Sequence, residues 1–457
     1  MTIVNPQEYF EYPIAEFHGN PLIEALRPLP MDDEEIIRRV SKVPKFDEKE
    51  LSLSPMFRNL LPRRLERDFY FPMSQQVNIM RALYSQLFYG YIERNPLTRD
   101  GQELLHNTGE VDCSEQNRTS TISFITGKSG IGKTALIKAF NESLGRSVII
   151  HNNYKGVPFT EKQIVYLRHN APDQCSPKSL CETFGNAIDT MLGNQESKLI
   201  FAQSQNRTSH VIGLRKMLKS KHVGLLIIDA FENISLARAG GKAELAAMFG
   251  NMRDGLGVPV LLAGTYKAED ILKRNLSTAR RFTEGGYYEL ENPSSPDAED
   301  WDVFCKIAWK YQWVRKSKKF SDAIRGVLFD LSQGITGIML SIFIKAQIEA
   351  INTGTEKVDE KMLKYVYRTQ MQPIHDMINA LRSKDKKAMA RYEDLYREAA
   401  KGLKCDNTSN RYDELKGQVD QGQGKSGETE TIQKPKPIRK PRSTKRTVKE
   451  LKKMVHG

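Results

Sequence analysis

Residues 127–134 read GKSGIGKT, and their neighbours on either side constrain the fold more than any other segment does. Before them stands TISFIT (121–126), a short apolar run of strand type, and after them ALIKAF, with helical spacing. A strand, a glycine-rich turn and a helix in direct succession make a cradle for phosphate groups. Gly127, Gly130 and Gly132 permit a turn tight enough for the backbone N–H groups to face one point. Lys128, Ser129 and Ile131 complete the loop and carry further N–H groups. Lys133 brings a positive charge to the β- and γ-phosphates, Thr134 a hydroxyl for Mg²⁺, and the helix N-terminus its partial positive charge. The segment therefore predicts an ATP and Mg²⁺ site.

From residue 121 onward, short apolar runs alternate with amphipathic helices. The strand candidates are 121–126, IVYLRH (164–169), VGLLIID (223–229), VPVLLAG (258–264) and YYEL (287–290). One intervening helix is signalled by Ser176-Pro177 at its start, by Leu180, Phe184, Ile188 and Met191 along one face, and by Gly193 at its end. Another is expected over 242–254. Such alternation predicts an α/β fold with a parallel sheet covered on both faces by helices. After Pro293 the strands cease, and helical periodicity appears at 297–316, 321–333, 335–352 and 359–371. The expected organisation is an N-terminal arm (1–55), a helical lead-in (56–120), an α/β nucleotide-binding domain (121–295), a smaller helical lid with following helices (296–404), and a flexible basic tail (405–457). Within the lead-in, Val77, Ile79, Met80, Leu83, Leu87 and Phe88 recur at helical spacing.

The other candidate site residues follow from this order. Asp229 ends the apolar run LLIID, about a hundred residues after the glycine-rich turn, where a carboxylate would hold Mg²⁺ through water. The next position is Ala230. ATPases of the AAA+ class usually have Glu there, to orient and deprotonate the attacking water, and Ala230 has no proton-accepting group. A slow natural ATPase, one that uses Glu232, and an engineered replacement of Glu by Ala are all consistent with this. Glu232 points elsewhere unless the loop bends. Thr265, at the end of LLAGT, is either a sensor of the γ-phosphate or a plain strand cap. Arg280 and Arg281 close an expected helix at 267–282. They suit either an arginine finger that reaches a neighbouring subunit's nucleotide, or simple complementarity to the helix dipole. In HNNYKGVPFTEKQ (151–163), Lys155, Thr160 and Lys162 are candidate contacts to DNA phosphates, or else part of a solvated connection.

The net charge of +13 is largely local. Residues 434–453 hold ten Lys/Arg and one Glu, a net of +9, which leaves +4 for the remainder. Such a tail suits nucleic acid or an acidic protein surface, and equally a solvated terminus. The five cysteines, Cys113, Cys175, Cys181, Cys305 and Cys405, form no C-x-x-C pair and read as reduced thiols. The N-terminus lacks the basic and apolar regions of a signal peptide, and the longest apolar stretch, near 335–346, is too short to cross a membrane. A cytoplasmic, bacterial, nucleoid-associated protein without a membrane partner is the expectation.

With these motifs in view, the chain resembles the TnsC/TniB group of AAA+ ATPases that regulate DNA transposition, and TnsC most closely. The resemblance rests on NPLIEALRPLP (20–30), the loop at 127–134, VGLLIIDAFENIS (223–235), ARAGG (237–241), GVPVLLAGTYKA (257–268), STARR (277–281), LSQGITGIMLSIFIKAQ (331–347) and MQPIHDMINALRS (371–383). It implies a protein that assembles with ATP into rings or filaments on duplex DNA. Such a protein connects a target-selection protein of TnsD/TniQ type to a transposase of TnsA/TnsB type, and hydrolyses ATP to disassemble. Carried over by motif, Lys133 and Thr134 bind nucleotide and Mg²⁺, Asp229 positions the metal, Thr265 is the sensor, and Arg280 or Arg281 acts in trans. Ala230 departs from the family pattern and puts ATP-driven release in doubt. A non-hydrolysing scaffold that uses ATP as a ligand, and another AAA+ machine such as a replication initiator or helicase loader, are the alternatives.

Overall fold

Five apolar runs assemble into one parallel sheet in a computed structural model that describes residues 9–106, 120–204, 206–234, 257–269 and 276–392. The strands in chain order are β1 (Ile122–Gly127), β2 (Val148–Tyr154), β3 (Val157–Ile164), β4 (Tyr166–Asn170), β5 (Leu225–Asp229), β6 (Val260–Ala263) and β7 (Tyr287–Leu290). The sheet order is β4-β5-β6-β1-β7, and every pairing is parallel. Successive residues along each strand enter opposite cores, as a period of two requires. Leu225 and Ile227 join one cluster, while Leu226 and Ile228 join the other. The first face is covered by helices Ser74–Ile92 and Lys133–Ser143, the second by Pro177–Leu192 and Arg207–Ser220. This is the α/β fold of an AAA+ domain, with both sheet faces covered as the sequence implies.

The helix after Ser176 begins and ends where its residues indicate. The Ser176 side chain accepts from the Ser179 N–H, Pro177 is the first helical residue, and Gly193 closes the helix at φ 67°. Beyond β7 the chain is helical, with Glu299–Trp309, Asp322–Ser332, Thr336–Asn352 and Glu360–Gln370 as its principal elements. The segment expected helical to 316 stops at Trp309, whose indole N–H donates to the Lys318 carbonyl across the following loop. Of the segment expected as one helix over 267–282, Tyr266–Glu269 and Leu276–Thr283 are helical, and residues 270–275 lie outside the described residues. The expected helix at 242–254, the ARAGG turn at 237–241 and the basic tail at 405–457 lie outside the described residues.

Two expectations are corrected. Residues 151–163 are not an open loop, and the run at 164–169 is not one strand. Residues 148–164 fold into the antiparallel hairpin β2–β3, Ile164 ends it, and the sheet strand starts at Tyr166. The hairpin turns on Lys155 and Gly156, both at positive φ (47° and 90°). Two such residues in a two-residue turn match the right-handed twist of the flanking strands.

The N-terminal segment is also no bare arm. Leu22, Ile23, Ile36, Ile37 and Val40 are at most 2% exposed and belong to the main core. Each such side chain stabilises the fold by about 1.5–3 kcal/mol. Helix Asp33–Val40 carries three acidic residues in its first turn and Arg38 and Arg39 in its last, which complements its dipole, and Ile36, Ile37 and Val40 form its buried stripe.

This segment is clamped to the C-terminal helices by Arg58, whose side chain is fully buried. Arg58 donates to both carboxylate oxygens of Glu356 (one at 2.7 Å) and to the carbonyls of Leu53 (3.1 Å) and Trp313 (3.3 Å). Those hydrogen bonds hold the Glu356 carboxyl below the ordinary glutamate range. A lowered folded-state pKa means that the pair stabilises the fold above that range and loses its effect as pH falls through the lowered value. Arg58→Leu leaves a buried carboxylate with only the Arg315 N–H as a hydrogen-bond donor among the described residues and is expected to cost about 3–5 kcal/mol in urea unfolding. Much of the loss of stability on acidification below the ordinary glutamate range should go with it; a loss under about 1 kcal/mol would contradict the clamp.

Candidate nucleotide site

A cavity of about 460 Å³ opens at the C-terminal edge of the sheet. Gly132 stands at its mouth in the left-handed region (φ 105°) as the N-cap of helix Lys133–Ser143, and no side chain caps that helix. Its first N–H groups are therefore open to an anion. Gly127 also has positive φ (148°), and a Cβ there would lie 2.7 Å from the Leu290 carbonyl oxygen. Gly130 is likewise at positive φ (77°). The Lys133 ammonium folds back over the loop and donates to the carbonyls of Gly127 (2.7 Å) and Lys128 (2.9 Å). Ser129, Gly130, Lys133 and Thr134 line the cavity. Ile131 does not; it turns into the core at 4% exposure and anchors the loop from beneath. Burial lowers the Lys128 pKa, and nearby Glu289 and Glu291 oppose that shift.

The sheet brings distant residues to this loop. The Thr134 hydroxyl donates to Asp229 Oδ2 at 3.0 Å, joining the first turn of the helix after β1 to the end of β5. The Asp229 carboxylate is 4% exposed, and its other oxygen accepts from the Ala230 N–H (3.0 Å). A hydroxyl and a carboxylate oxygen side by side under a phosphate loop are oxygen donors of the kind that a Mg²⁺ ion takes, so these residues fit that ion. Thr265 follows β6, lines the same cavity, and is 7% exposed; its hydroxyl has no hydrogen-bond partner among the described residues.

Three features of the site are not evident from local sequence. Arg168 of β4 donates to Asp229 Oδ2 at 2.8 Å, the same oxygen that Thr134 reaches. The one signal for it is a cation placed two residues before the end of an apolar strand, on the face that Asn170 shares. Glu232 lines the cavity because the chain bends: Ala230 takes the left-handed conformation (φ 54°, ψ 45°), and a short 3₁₀ turn, Phe231–Asn233, follows. Residues 66–70, together with Lys42, form the opposite wall, where an antiparallel bridge pairs Lys42 with Tyr70.

The remaining candidates lie elsewhere. Arg280 does not line the cavity; its side chain is 74% exposed and stands 3.9 Å from Glu284. The side chain of Arg281 lies outside the described residues. Lys155, Thr160 and Lys162 share the exposed hairpin, with Thr160 and Lys162 on one face of β3. Lys155 is not free for an incoming phosphate: it pairs at 2.8 Å with Glu24, whose side chain is 1% exposed.

Residues 116–272 match the AAA domain family. The chain thus contains an AAA-type, P-loop ATPase domain, a class defined by nucleotide binding. Among solved structures it is similar to Cdc6p from Pyrobaculum aerophilum (13% identity, 69% of each chain covered, TM-score 0.39). It is also similar to a Walker-type ATPase of Pyrococcus abyssi (16% identity, 67% of this chain and 86% of that one, TM-score 0.39). A third similar structure is Drosophila ORC bound to DNA (15% identity, 77% of this chain and 68% of that one, TM-score 0.37). No curated protein matches the chain by sequence.

Left-handed backbone at a residue with a Cβ carries a strain of about 1–2 kcal/mol, which glycine relieves in part. Ala230→Gly should therefore raise stability by up to about 1 kcal/mol, and Ala230→Val should lower it by about 1–2 kcal/mol, in denaturant titrations. Equal stability for the two variants would show that the bend does not persist in solution.

Proposed function

We propose that this chain is an ATP-dependent, DNA-binding AAA+ regulator of transposition of the TnsC/TniB type. It oligomerises on duplex DNA in the bacterial cytoplasm and links a target-selection protein of TnsD/TniQ type to a TnsA/TnsB-type transposase. The observation that carries the nucleotide part is the Thr134–Asp229 contact beneath the phosphate loop. Nearness of these two side chains supports a shared ATP and Mg²⁺ site, and Thr265, which lines the same cavity, would be its γ-phosphate sensor. The exposed Arg280 supports a role in trans, since it is remote from its own cavity and accessible to a neighbouring subunit. The transposition role rests on the sequence resemblance. Contact with DNA through Thr160 and Lys162 fits their exposure on one hairpin face, and such contacts follow the phosphate backbone. Ala230 favours attenuated hydrolysis. It also keeps a second function open, an ATP-liganded scaffold in which the nucleotide selects the oligomeric state.

Lys133→Ala is expected to abolish the ATP-induced gain in duplex-DNA affinity, read by fluorescence anisotropy with and without nucleotide. Unchanged ATP dependence would sink the switch. Lys162→Ala should weaken binding evenly across DNA sequences and lower the slope of log K against log salt by about 0.9, the value for one phosphate contact. An unaltered slope would remove Lys162 from the DNA surface.

A further inference from the structure

We propose that Glu232 accepts the proton of the water that attacks the γ-phosphate, in the role left without a side chain at Ala230. This rests on the ATPase function proposed above. The bend at Ala230 (φ 54°) redirects the chain at the end of β5, and Phe231, fully buried, anchors the turn beneath it. Asn233 fixes the far side by donating to the Ala171 carbonyl at 3.0 Å. Between these anchors the half-buried Glu232 side chain enters the cavity lined by Lys133, Thr134 and Asp229.

Two further contacts hold its carboxylate in place. Glu232 Oε2 accepts from the Thr265 N–H at 3.1 Å. The same oxygen sits in a notch at Gly264, where a Cβ would lie 2.6 Å from it. Any side chain larger than hydrogen at position 264 would push the carboxylate away. The Thr265 hydroxyl, buried and without a hydrogen-bond partner among the described residues, stands on the residue that holds Glu232. A hydroxyl and a carboxylate so placed are a donor–acceptor pair suited to hold one water in the cavity beside the phosphate loop.

In the proposed step the water oxygen bonds to the γ-phosphorus while the bond from that phosphorus to the β–γ bridging oxygen breaks, giving ADP and phosphate. The water proton passes to the Glu232 carboxylate and from there to solvent. Asp229 is committed to other partners: its Oδ2 accepts from Thr134 and Arg168, and its Oδ1 accepts from the Ala230 N–H.

The test uses the full chain and its Glu232→Gln variant, with ATP affinity measured by equilibrium dialysis and turnover by phosphate release. Turnover should fall by about 100-fold or more, within the range for loss of a general base, while ATP affinity stays within about twofold. Nucleotide recovered from the variant should be ATP, where the parent yields ADP. Turnover within about threefold of the parent, or loss of ATP binding in the folded variant, would overturn the assignment. Should that variant not fold, Glu232→Asp keeps the charge but withdraws the carboxylate by one methylene. A fall of about tenfold at unchanged affinity then supports the proposal, and parental turnover overturns it. A parent that binds ATP but releases no phosphate removes the role of Glu232 and leaves the scaffold standing. Lys133→Ala with parental turnover would defeat the ATP site itself.

Discussion

The candidate nucleotide site depends on the insertion of β6 between β1 and β5 in the parallel sheet. Two strand spacings, about 10 Å, then separate the phosphate loop from Asp229. That gap leaves room for a phosphate and its cation, and it places Thr265, at the end of the intervening strand, between the two. Thr134 spans the remaining distance from the first turn of its helix to Asp229. Arg168, reaching in from the edge strand β4, balances the carboxylate charge in a site where an unpaired anion would be costly.

The rest of the chain fixes this edge from behind. The N-terminal segment and the C-terminal helices share one core with the face of the sheet under the phosphate loop. Arg58 and Glu356 tie the two regions together. Helix Thr336–Asn352 sits directly on the loop: the Gly337 N–H donates to the Gly130 carbonyl at 3.2 Å, and the Thr336 hydroxyl lies 3.5 Å from the Ile131 carbonyl. A change in the loop conformation is therefore a change in the seat of that helix, which gives the nucleotide site a direct mechanical link to the C-terminal helices.

The sheet, the phosphate loop and Asp229 were legible in the sequence because each is encoded locally. Apolar runs, glycines at fixed spacing and capping residues carry their own geometry, and the helix from Ser176 to Gly193 is a clear instance. What escaped depends on partners far along the chain or on a left-handed backbone at a residue other than glycine. The burial of Leu22 and Ile37 follows from docking on helix Ser74–Ile92, not from any long periodic pattern of their own. The hairpin at 148–164 was hidden because its turn uses Lys155 rather than Asn or Asp at the first left-handed position. Glu232, three residues past Asp229, points elsewhere in the sequence reading unless the loop bends. The left-handed Ala230 supplies that bend, and no pattern rule predicts such a conformation for alanine. Ile131 shows the converse: a residue within a binding motif whose side chain serves the core.

The central claim is that ATP and Mg²⁺ bind together at the junction of the phosphate loop and Asp229. Isothermal titration of the full chain with a non-hydrolysable ATP analogue, with and without Mg²⁺, tests it most directly. The geometry predicts saturable binding of one nucleotide per chain, tightened about tenfold or more by Mg²⁺, with that gain lost in Asp229→Ala. Absence of saturable binding, or binding indifferent to both Mg²⁺ and Asp229, would contradict it.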